Sequence, residues 1–420
     1  MYEAVVCTIE VKPHPNADRL QLGVVENEQV VVGLNTRSGD LGVYFPADGQ
    51  LSHEFCELND LYPRFDESGK RLNSGFIDPK HRRVRAQNFR GERSYGFWVP
   101  VSYFEHYFNY DSELMNFMNI GSSFYEINGR PICNKYETEA TIKAKGKRNR
   151  SSTTRHEVGD MKMHFETKKF SREIDRLNLF GKEINITEKL HGTSGRFGYV
   201  DATVLLPWYK RLLASFGLLP ERSRYRHLHG SRKPILETTK QENHWHGREL
   251  FRYNVVKHCH GKLRRNEVLY FEIVGHTETG QMIQHGGRTP KHVEHLYPPH
   301  IFFTYGCEPK EAKAYVYRIT LNGKDLSYRD MVERAKELDL LTPPHLFNVT
   351  GLSVEKIKQA VDSVTDGVSI VDHRHMREGV CIRIEDEFGV QILKSKSYYF
   401  LLLEDKIKET GVEDIEEASG

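Results

Sequence analysis

The sequence predicts an α+β protein with two domains, a small β-barrel followed by a larger domain of antiparallel sheets with flanking helices. Short β-rich runs separated by turn residues fill the chain up to about residue 130, a pattern typical of a barrel. A stretch rich in Lys, Arg, Gly, Ser and Thr follows from Tyr136 to Val158 and is expected to be a linker. After residue 160, strand patterns alternate with helical ones. We place the barrel domain at residues 1–132, the basic linker at 133–160 and the second domain at 161–420.

The charge balance excludes a protein that binds nucleic acid through its overall charge. The chain has 60 Lys and Arg against 58 Asp and Glu, a formal net charge of +2. Any nucleic-acid binding must therefore come from local clusters. The 6 cysteines are scattered without a CxxC pair. This spacing argues against a disulfide framework and predicts a reducing, intracellular and cytoplasmic setting.

The most apolar window, Thr203–Leu219, is interrupted by Pro207, Lys210 and Arg211. It is too short and too charged to span a bilayer. An amphipathic helix with a partner or a role at a membrane surface is an open alternative for this window. For the whole chain we expect no membrane partner and infer no obligate protein partner.

Basic and aromatic residues are interleaved near the end of the predicted barrel. Four arginines stand among Phe89, Tyr95, Phe97 and Trp98, and they are Arg83, Arg85, Arg90 and Arg93. Basic groups contact phosphates and aromatic rings stack on bases, so these arginines are predicted to bind nucleic acid. The alternative is a barrel core with a solvated basic strand. The segments His14–Leu20 and Arg90–Phe97 resemble the OB-type modules that bind tRNA in some synthetases.

A lysine at the end of a strand-like run carries the clearest chemical signal. Ile184–Thr187 alternates apolar and polar residues, and residues 188–194 then read Glu-Lys-Leu-His-Gly-Thr-Ser. A strand can hold Lys189 in a dry pocket where its amine is less readily protonated, as a covalent nucleophile requires. Gly192 lets the backbone approach a phosphate or a sugar. Taken alone, such a lysine is more often an ordinary strand end.

Five more residues downstream are ionisable or aromatic and lie on or directly before predicted strands. Glu272 lies in an apolar strand, where a carboxylate is costly unless it is paired. Tyr317 lies in a strand with alternating aromatics, and Glu378 directly precedes an apolar strand. Lys394 and Lys396 are two residues apart, so they share one face of the last strand.

The order lysine, carboxylate, aromatic, carboxylate, paired lysines resembles the covalent nucleotidyltransferases. That superfamily comprises ATP-dependent DNA and RNA ligases and the mRNA capping guanylyltransferases. The Lys-x-His-Gly-Thr-Ser form resembles the RNA ligase branch, and the match runs from about residue 160 to 404. With the barrel in front, the chain most resembles nick-sealing RNA ligases. The implied fold is an N-terminal OB-like β-barrel followed by an adenylyltransferase (ATP-grasp-like ligase) domain.

The resemblance implies a role for each of these residues. Lys189 would attack the α-phosphate of ATP, while Lys394 and Lys396 would neutralise phosphate oxygens. Glu378 would bind Mg²⁺ or Mn²⁺ and Glu272 the ribose hydroxyls. Tyr317 would stack on adenine, with Tyr305 and Phe303 as alternatives. The further nucleotide-binding positions that the resemblance implies are Glu188, His191, Gly192, Thr193, Ser194 and Arg232.

The implied activity is ATP-dependent RNA ligation. The enzyme would join a 3′-hydroxyl RNA end to a 5′-phosphate end, at nicks in a duplex, through lysyl-AMP and an AMP-capped 5′ end. The chain ends soon after Lys396, so we expect no C-terminal OB domain of the kind that capping enzymes use. A capping-type guanylyltransferase and a non-catalytic RNA-binding protein are the alternatives.

Overall fold

The computed structural model describes residues 2–72, 75–147, 155–179, 181–236, 251–387 and 389–411. The chain folds as two compact units, Met1–Glu137 and Thr138–Gly420. The segment predicted as a basic linker contains the end of the first unit and a helix of the second, and its residues 148–154 lie outside the described ranges. Within those ranges, no helix has both the length and the apolar character needed to cross a membrane.

The first unit is made mostly of short strands. Its strands are β1 (Ala4–Thr8), β2 (Glu10–Pro13), β3 (Leu20–Val25), β4 (Glu28–Gly33), β5 (Leu41–Pro46), β6 (Gly49–Leu51), β7 (Arg83–Val84), β8 (Gln87–Phe89), β9 (Glu92–Ser94), β10 (Gly96–Pro100), β11 (Ser123–Phe124), β12 (Glu126–Ile127), β13 (Arg130–Pro131) and β14 (Cys133–Lys135). Its helices are α1 (His53–Leu58), a 3₁₀ helix (Val101–Tyr107) and α2 (Asp111–Phe117).

These strands pair into several small antiparallel sheets. One sheet has the order β10-β5-β1-β11, another β2-β3-β4 and a third β14-β6-β7. Across the described part of this unit, the pairings do not close into a barrel. The β-rich run from Glu3 to Val11 is divided into β1 and β2, which pair with different sheets. The unit nevertheless has its own apolar core, in which Phe45, Phe55 and Phe104 are fully buried.

The second unit mixes longer strands with helices. Its strands are β15 (Lys168–Lys169), β16 (Glu183–Lys189), β17 (Thr193–Asp201), β18 (Tyr225–Gly230), β19 (Ile235–Leu236), β20 (Glu267–Gly275), β21 (Gly287–Arg288), β22 (His300–Ile301), β23 (Ala312–Leu321), β24 (Lys324–Asp325), β25 (His345–Val349), β26 (Gly379–Asp386) and β27 (Gly389–Lys396). Its helices are α3 (Glu139–Lys147), α4 (Phe170–Glu173), α5 (Trp208–Ser215), α6 (Glu221–Arg224), α7 (Phe251–Asn254), α8 (Tyr328–Glu337), α9 (Val354–Thr365) and α10 (Tyr398–Glu409).

Two sheets of this unit bound a cleft. The first has the order β15-β27-β26-β16-β25, with one parallel pair between β15 and β27. The second has the order β19-β18-β17-β20-β23-β24 and is antiparallel throughout. The predicted antiparallel sheets with flanking helices are therefore confirmed for this unit.

Apolar cores cover the outer faces of the two sheets, and many polar and charged side chains of the strands point to the inner faces. Ile184, Ile186, Ile382 and Leu393 pack with α9 behind the first sheet. Since side chains alternate along a strand, the residues between them point to the other face. Arg383 lies on that inner face. It donates to the carbonyl oxygens of Tyr317, in β23, and Leu326, directly after β24, so its two partners belong to the second sheet or adjoin it. It thereby ties the two sheets together at the base of the cleft.

Candidate active site

Lys189 and Glu378 form an ion pair at the mouth of the cleft. Lys189 is the last residue of β16, and it pairs with Gly379 at the start of β26. Its Nζ lies 2.8 Å from Glu378 Oε2, and the carboxylate side chain is only 5% exposed. Gly379 has a φ of +149°, and a Cβ there would lie 2.1 Å from the Ser395 carbonyl oxygen. The glycine thus allows the close strand approach that brings Glu378 to the lysine.

Lys394 and Lys396 project from β27 on the same face as Lys189. Lys396 pairs across β26 with the same Gly379 that pairs with Lys189, and Lys394 pairs with Cys381 one row further. Because opposed residues of neighbouring strands share a face, the three lysines form one cationic group. The register of the three strands therefore brings Lys189, Lys394 and Lys396 together on one face.

A carboxylate from α10 holds Lys396. Glu404 Oε2 lies 2.9 Å from Lys396 Nζ, and Glu404 Oε1 lies 3.3 Å from Lys408 Nζ. Burial raises the pKa of Glu404, but Lys396 and Lys408 outweigh it and hold that pKa well below its usual range. Lys396 Nζ is also 3.9 Å from Glu378 Oε1. Lys396 therefore bridges two carboxylates, of which only Glu378 was predicted.

The loop after the lysine is fixed from three sides. The backbone N–H of His191 donates to Tyr305 Oη at 2.6 Å, and the ring of His191 meets the edge of Phe303 at a centroid distance of 4.8 Å. Gln284 Nε2 donates to the carbonyl oxygen of Gly192 at 2.5 Å. Burial keeps the pKa of Tyr305 well above its usual value, so its hydroxyl stays neutral. His191 Nδ1 lies 3.7 Å from Glu378 Oε2.

The opposite wall is built from β17, β20 and β23. Ser194 is paired with Glu272, which is paired with Tyr315 on the next strand, so the three side chains share one face. Thr193 points the other way, and its Oγ1 accepts from Arg252 Nη2 at 2.9 Å. The structure therefore brings Ser194 and Glu272 to the cleft but turns the side chain of Thr193 away from it.

Of our three adenine-stacking candidates, Tyr317 is the one that is not buried. Phe303 and Tyr305 are each 1% exposed, so neither offers a free ring face. Tyr317 is half-buried, and its hydroxyl hydrogen-bonds His164 Nδ1 at 2.5 Å. Arg232 lies beside the same histidine, since the N–H of His164 donates to the Arg232 carbonyl oxygen at 3.3 Å. Burial, with nearby arginines, holds the pKa of His164 well below its usual value.

Glu188 lies on the opposite face of β16 from Lys189. It is 1% exposed, and its Oε2 accepts from the backbone N–H of Ile370 at 2.7 Å. Burial raises the pKa of this carboxyl group. This hydrogen bond holds the segment after α9 against β16, the strand that ends at Lys189.

Several residues at the site carried no sequence signal. Arg196, in β17, is fully buried and donates to the carbonyl oxygens of His156, Lys162, Ser231 and Lys233. Burial lowers the pKa of Arg196 to about 10. Cys381 lies between the rows of lysines, and burial raises its pKa to about 11. Glu404 reaches the site from a distant segment, so neither spacing nor periodicity could have found it. Tyr305 was an alternative for adenine stacking, but its hydroxyl instead accepts from the backbone N–H of His191.

The four predicted nucleic-acid-binding arginines lie in the first unit and differ in exposure. Arg83 is buried, with its guanidinium 4.3 Å from the centroid of the Tyr136 ring. Arg85 and Arg93 are half-buried, and Arg90 is exposed at a turn with a φ of +50°. A small groove is lined by Arg83, Arg85 and four aromatic or amide residues, Phe76, Phe89, Phe97 and Gln87, among others. Basic and aromatic side chains therefore do meet at one surface of this unit.

The cleft has the chemistry of nucleotidyl transfer. Three lysines and a buried carboxylate face a wall that carries a carboxylate, a hydroxyl and a half-buried aromatic residue. In the described ranges, no cluster of three or more His, Cys, Asp or Glu residues could hold a metal ion by itself. A metal at Glu378 would therefore share its coordination with substrate phosphates and water, as Mg²⁺ commonly does. Fold and site together define a covalent nucleotidyltransferase of the ligase type.

Comparison with known proteins assigns the family. A family model described as RNA ligase matches residues 182–396, slightly more than half of the chain. The chain belongs to this RNA ligase family, and the predicted ligase class of enzyme is confirmed. No curated protein matches the chain by sequence.

Solved structures of an RNA ligase from Naegleria gruberi share the fold. An arginine-to-alanine variant with ATP and Mn has a TM-score of 0.60 at 17% identity, over 97% of this chain and 99% of that chain. A lysine-to-alanine variant with ATP and Mn has a TM-score of 0.59 at 17% identity, over 95% and 98%. A glutamate-to-alanine variant with AMP and Mn gives 0.59 at 16%, again over 95% and 98%.

Proposed function

We propose that this protein is an ATP-dependent ligase that seals nicks in duplex RNA, joining a 3′-hydroxyl end to a 5′-phosphate end. The observation that carries the proposal is the 2.8 Å contact of Lys189 with Glu378 on a face that also bears Lys394 and Lys396. The similar structures from Naegleria gruberi hold ATP or AMP with Mn. ATP is accordingly the proposed nucleotide, in preference to the GTP of capping enzymes.

Lys189 performs the first transfer. Its neutral amine forms a bond to the α-phosphorus of ATP, the bond to the bridging oxygen breaks, and pyrophosphate leaves with the electron pair. In the free protein Nζ is the ammonium of the ion pair with Glu378 at 2.8 Å, so it must first release a proton to solvent, and a second proton leaves as the nitrogen–phosphorus bond forms. Lys394 and Lys396 offset the charge that builds on the phosphate oxygens. The product is AMP joined to Lys189.

The two later transfers use the same cleft. An oxygen of the RNA 5′-phosphate attacks the α-phosphorus, and the nitrogen–phosphorus bond breaks with its electrons returning to Nζ. The RNA 3′-hydroxyl then attacks the activated 5′-phosphate, loses its proton, and releases AMP. Glu378 would hold Mg²⁺ or Mn²⁺, which would supply Lewis-acid neutralisation of the phosphates.

The nucleoside half of ATP is proposed to lie along the second sheet. Glu272 would accept from the ribose hydroxyls, and Ser194 stands beside it in register. Tyr317 would stack on adenine, since it is the candidate that is not buried. Arg232 would contact the nucleotide at the same end, which is supported by the hydrogen bond from the N–H of His164 to its carbonyl oxygen. The loop His191–Gly192 would contact the nucleotide through its backbone.

The first unit is proposed to be an OB-like module that grips duplex beside the nick. Its groove combines Arg83 and Arg85 with aromatic rings, and Arg90 and Arg93 lie on the adjoining hairpin of β8 and β9. Such a surface suits phosphate contacts and stacking. No protein partner is required by this scheme.

Replacement of Lys189 tests the covalent step. Lys189→Ala should abolish the transfer of label from α-labelled ATP to the protein, measured on a denaturing gel and by mass spectrometry. The matched control is Lys182→Ala, because Lys182 is also 23% exposed and also pairs with a carboxylate, Asp386, at 2.6 Å. Label that persists in Lys189→Ala would overturn the proposal, and label from GTP in place of ATP would favour a capping reaction.

A further inference from the structure

The segment between β17 and β18 carries an amphipathic helix whose apolar face is exposed to solvent. In α5 and its carboxyl-terminal cap, Trp208, Leu212 and Phe216 are each four residues apart, as are Tyr209 and Leu213. At 3.6 residues per turn these five side chains form one continuous stripe. They are between 40% and 71% exposed, and no residue of the helix is buried. A monomer gains nothing from such an arrangement, because apolar area left in water stabilises no fold.

The helix is nonetheless well formed at both ends. Pro207 precedes its first residue with a φ of −53°, a geometry that suits a helix start. At the other end Gly217 has a φ of +69°, and the N–H of Leu218 donates to the Leu213 carbonyl oxygen at 2.9 Å. The N–H of Gly217 donates to the Ala214 carbonyl oxygen at 3.0 Å, which completes a Schellman cap. The local sequence therefore specifies the helix without help from a core.

Contacts between its two ends close the segment that carries this helix. The N–H of Ala202 donates to the Arg224 carbonyl oxygen at 2.7 Å, and Arg224 pairs with Asp201. Leu206 is buried within this segment. These contacts anchor both ends of the segment at the end of β17.

The charges around the helix favour an anionic partner. Between residues 202 and 226 the basic residues are Lys210, Arg211, Arg222, Arg224 and Arg226, and the acidic one is Glu221. Glu221 is itself paired with Arg265 at 2.6 Å. Lys210 and Arg211 lie on the polar side of α5, beside the stripe. Leucines offer nothing to phosphates or base edges, so the stripe is poorly suited to RNA, whereas Trp, Tyr, Phe and Leu over a cationic flank suit a lipid interface.

We infer that α5 docks this protein onto the surface of an anionic phospholipid membrane. The helix lies in the plane of the interface, with the stripe among the acyl chains nearest the headgroups and the cations against lipid phosphates and carboxylates. The contact is peripheral and reversible, since one short helix buries few side chains. It is separate from the nucleotide cleft, and it stands whether or not the proposed ligation is correct.

Vesicle sedimentation tests the inference with the full chain. The protein should sediment with vesicles of phosphatidylcholine mixed with phosphatidylserine, bind vesicles of phosphatidylcholine alone at least tenfold more weakly, and be released by high salt. The double variant Leu212→Glu/Phe216→Glu should lower binding at least tenfold. The double variant Lys210→Glu/Arg211→Glu should lower binding to the mixed vesicles to a similar extent.

The matched control is Met115→Glu/Ile120→Glu, because these two side chains are 54% and 68% exposed on the first unit. This variant should bind vesicles as the wild type does. The α5 variants should keep the wild-type melting temperature, since they alter no buried contact. Equal sedimentation of Leu212→Glu/Phe216→Glu, or failure of the wild type to bind, overturns the inference. A wild-type dimer that the same variant dissolves also overturns it, because a second copy would then cover the stripe.

Discussion

At the scale of single residues, the site depends on carboxylates that keep lysines in place. Lys189 and Lys396 both approach Glu378, at 2.8 Å and 3.9 Å, and Lys396 has Glu404 as a second partner at 2.9 Å. A lysine side chain has several rotatable bonds, so an unpartnered ammonium would sample many positions. Glu404 therefore serves as a positioning residue that directs Lys396 toward the phosphates.

Replacement of Glu404 should slow adenylation without preventing it. Glu404→Gln removes a buried charge beside Lys396 and Lys408, so we expect lysyl-AMP formation to fall about tenfold, or about 1.4 kcal/mol in the barrier. The melting temperature should fall as well, because two lysines lose their shared counter-charge. Single-turnover labelling and thermal unfolding measure the two effects.

The matched control for that variant is Glu409→Gln. Glu409 lies on the same helix, pairs with Lys406 at 2.8 Å and is 36% exposed. It should leave both the labelling rate and the melting temperature near the wild-type values, as exposed pairs contribute little. An unchanged labelling rate in Glu404→Gln would show that Lys396 needs no such partner.

At the scale of elements, the edge of the second sheet contains a histidine that must remain neutral. His227, in β18, stacks on His260 at a ring distance of 3.9 Å, and its Nε2 accepts from the N–H of Gly261 at 3.1 Å. Burial, with a smaller contribution from His260, lowers the pKa of His227 to about 4. The packing of β18 against the segment after α7 thus depends on an unprotonated ring.

Stability should therefore fall as the pH falls from about 6.5 to about 4. In that window the unfolded chain binds a proton at His227 and the folded chain does not, so protonation favours unfolding. His227→Phe keeps an aromatic ring but removes the titration, and its melting temperature should drop less between pH 7 and pH 5. Exposed His300 supplies the control, since His300→Phe should leave the pH dependence as in the wild type.

At the scale of the whole molecule, each unit has a core of its own. One core centred on Phe45 and Phe55 belongs to the first unit, and those centred on Phe271, Ile382 and Phe303 belong to the second. All the proposed nucleotide contacts also lie in the second unit. Folding and adenylation should therefore survive removal of the first unit.

A shortened chain that begins at Thr138 measures that separation. It should form lysyl-AMP with ATP but seal a nicked RNA duplex at least tenfold more slowly than the full chain, because the proposed RNA grip is missing. Parallel assays with RNA or DNA on each side of the nick define the substrate. Equal sealing by the two chains would remove the proposed role of Arg83, Arg85, Arg90 and Arg93.

The sequence predicted those parts of the molecule that local patterns encode. Alternation placed Lys394 and Lys396 on one face of β27. Whether the strands of the first unit close into a barrel was less predictable, because closure depends on which strands, distant in sequence, pair with each other. The same limit hid Glu404, which reaches Lys396 only through tertiary packing. The side-chain direction of Thr193 likewise depends on its register with β20.

The inner wall of the cleft contains a buried cation, Arg196, whose hydrogen bonds go to backbone carbonyl oxygens and not to a carboxylate. The guanidinium of Arg196 gives its hydrogen bonds to four backbone carbonyl oxygens, which satisfy its donors but leave its unit charge in place. With a pKa of about 10 it remains positive at neutral pH. Low-dielectric walls focus the field of such a charge toward the opening. We therefore expect the buried charge of Arg196 to add to the attraction that an approaching triphosphate experiences, before any flexible side chain has closed around it.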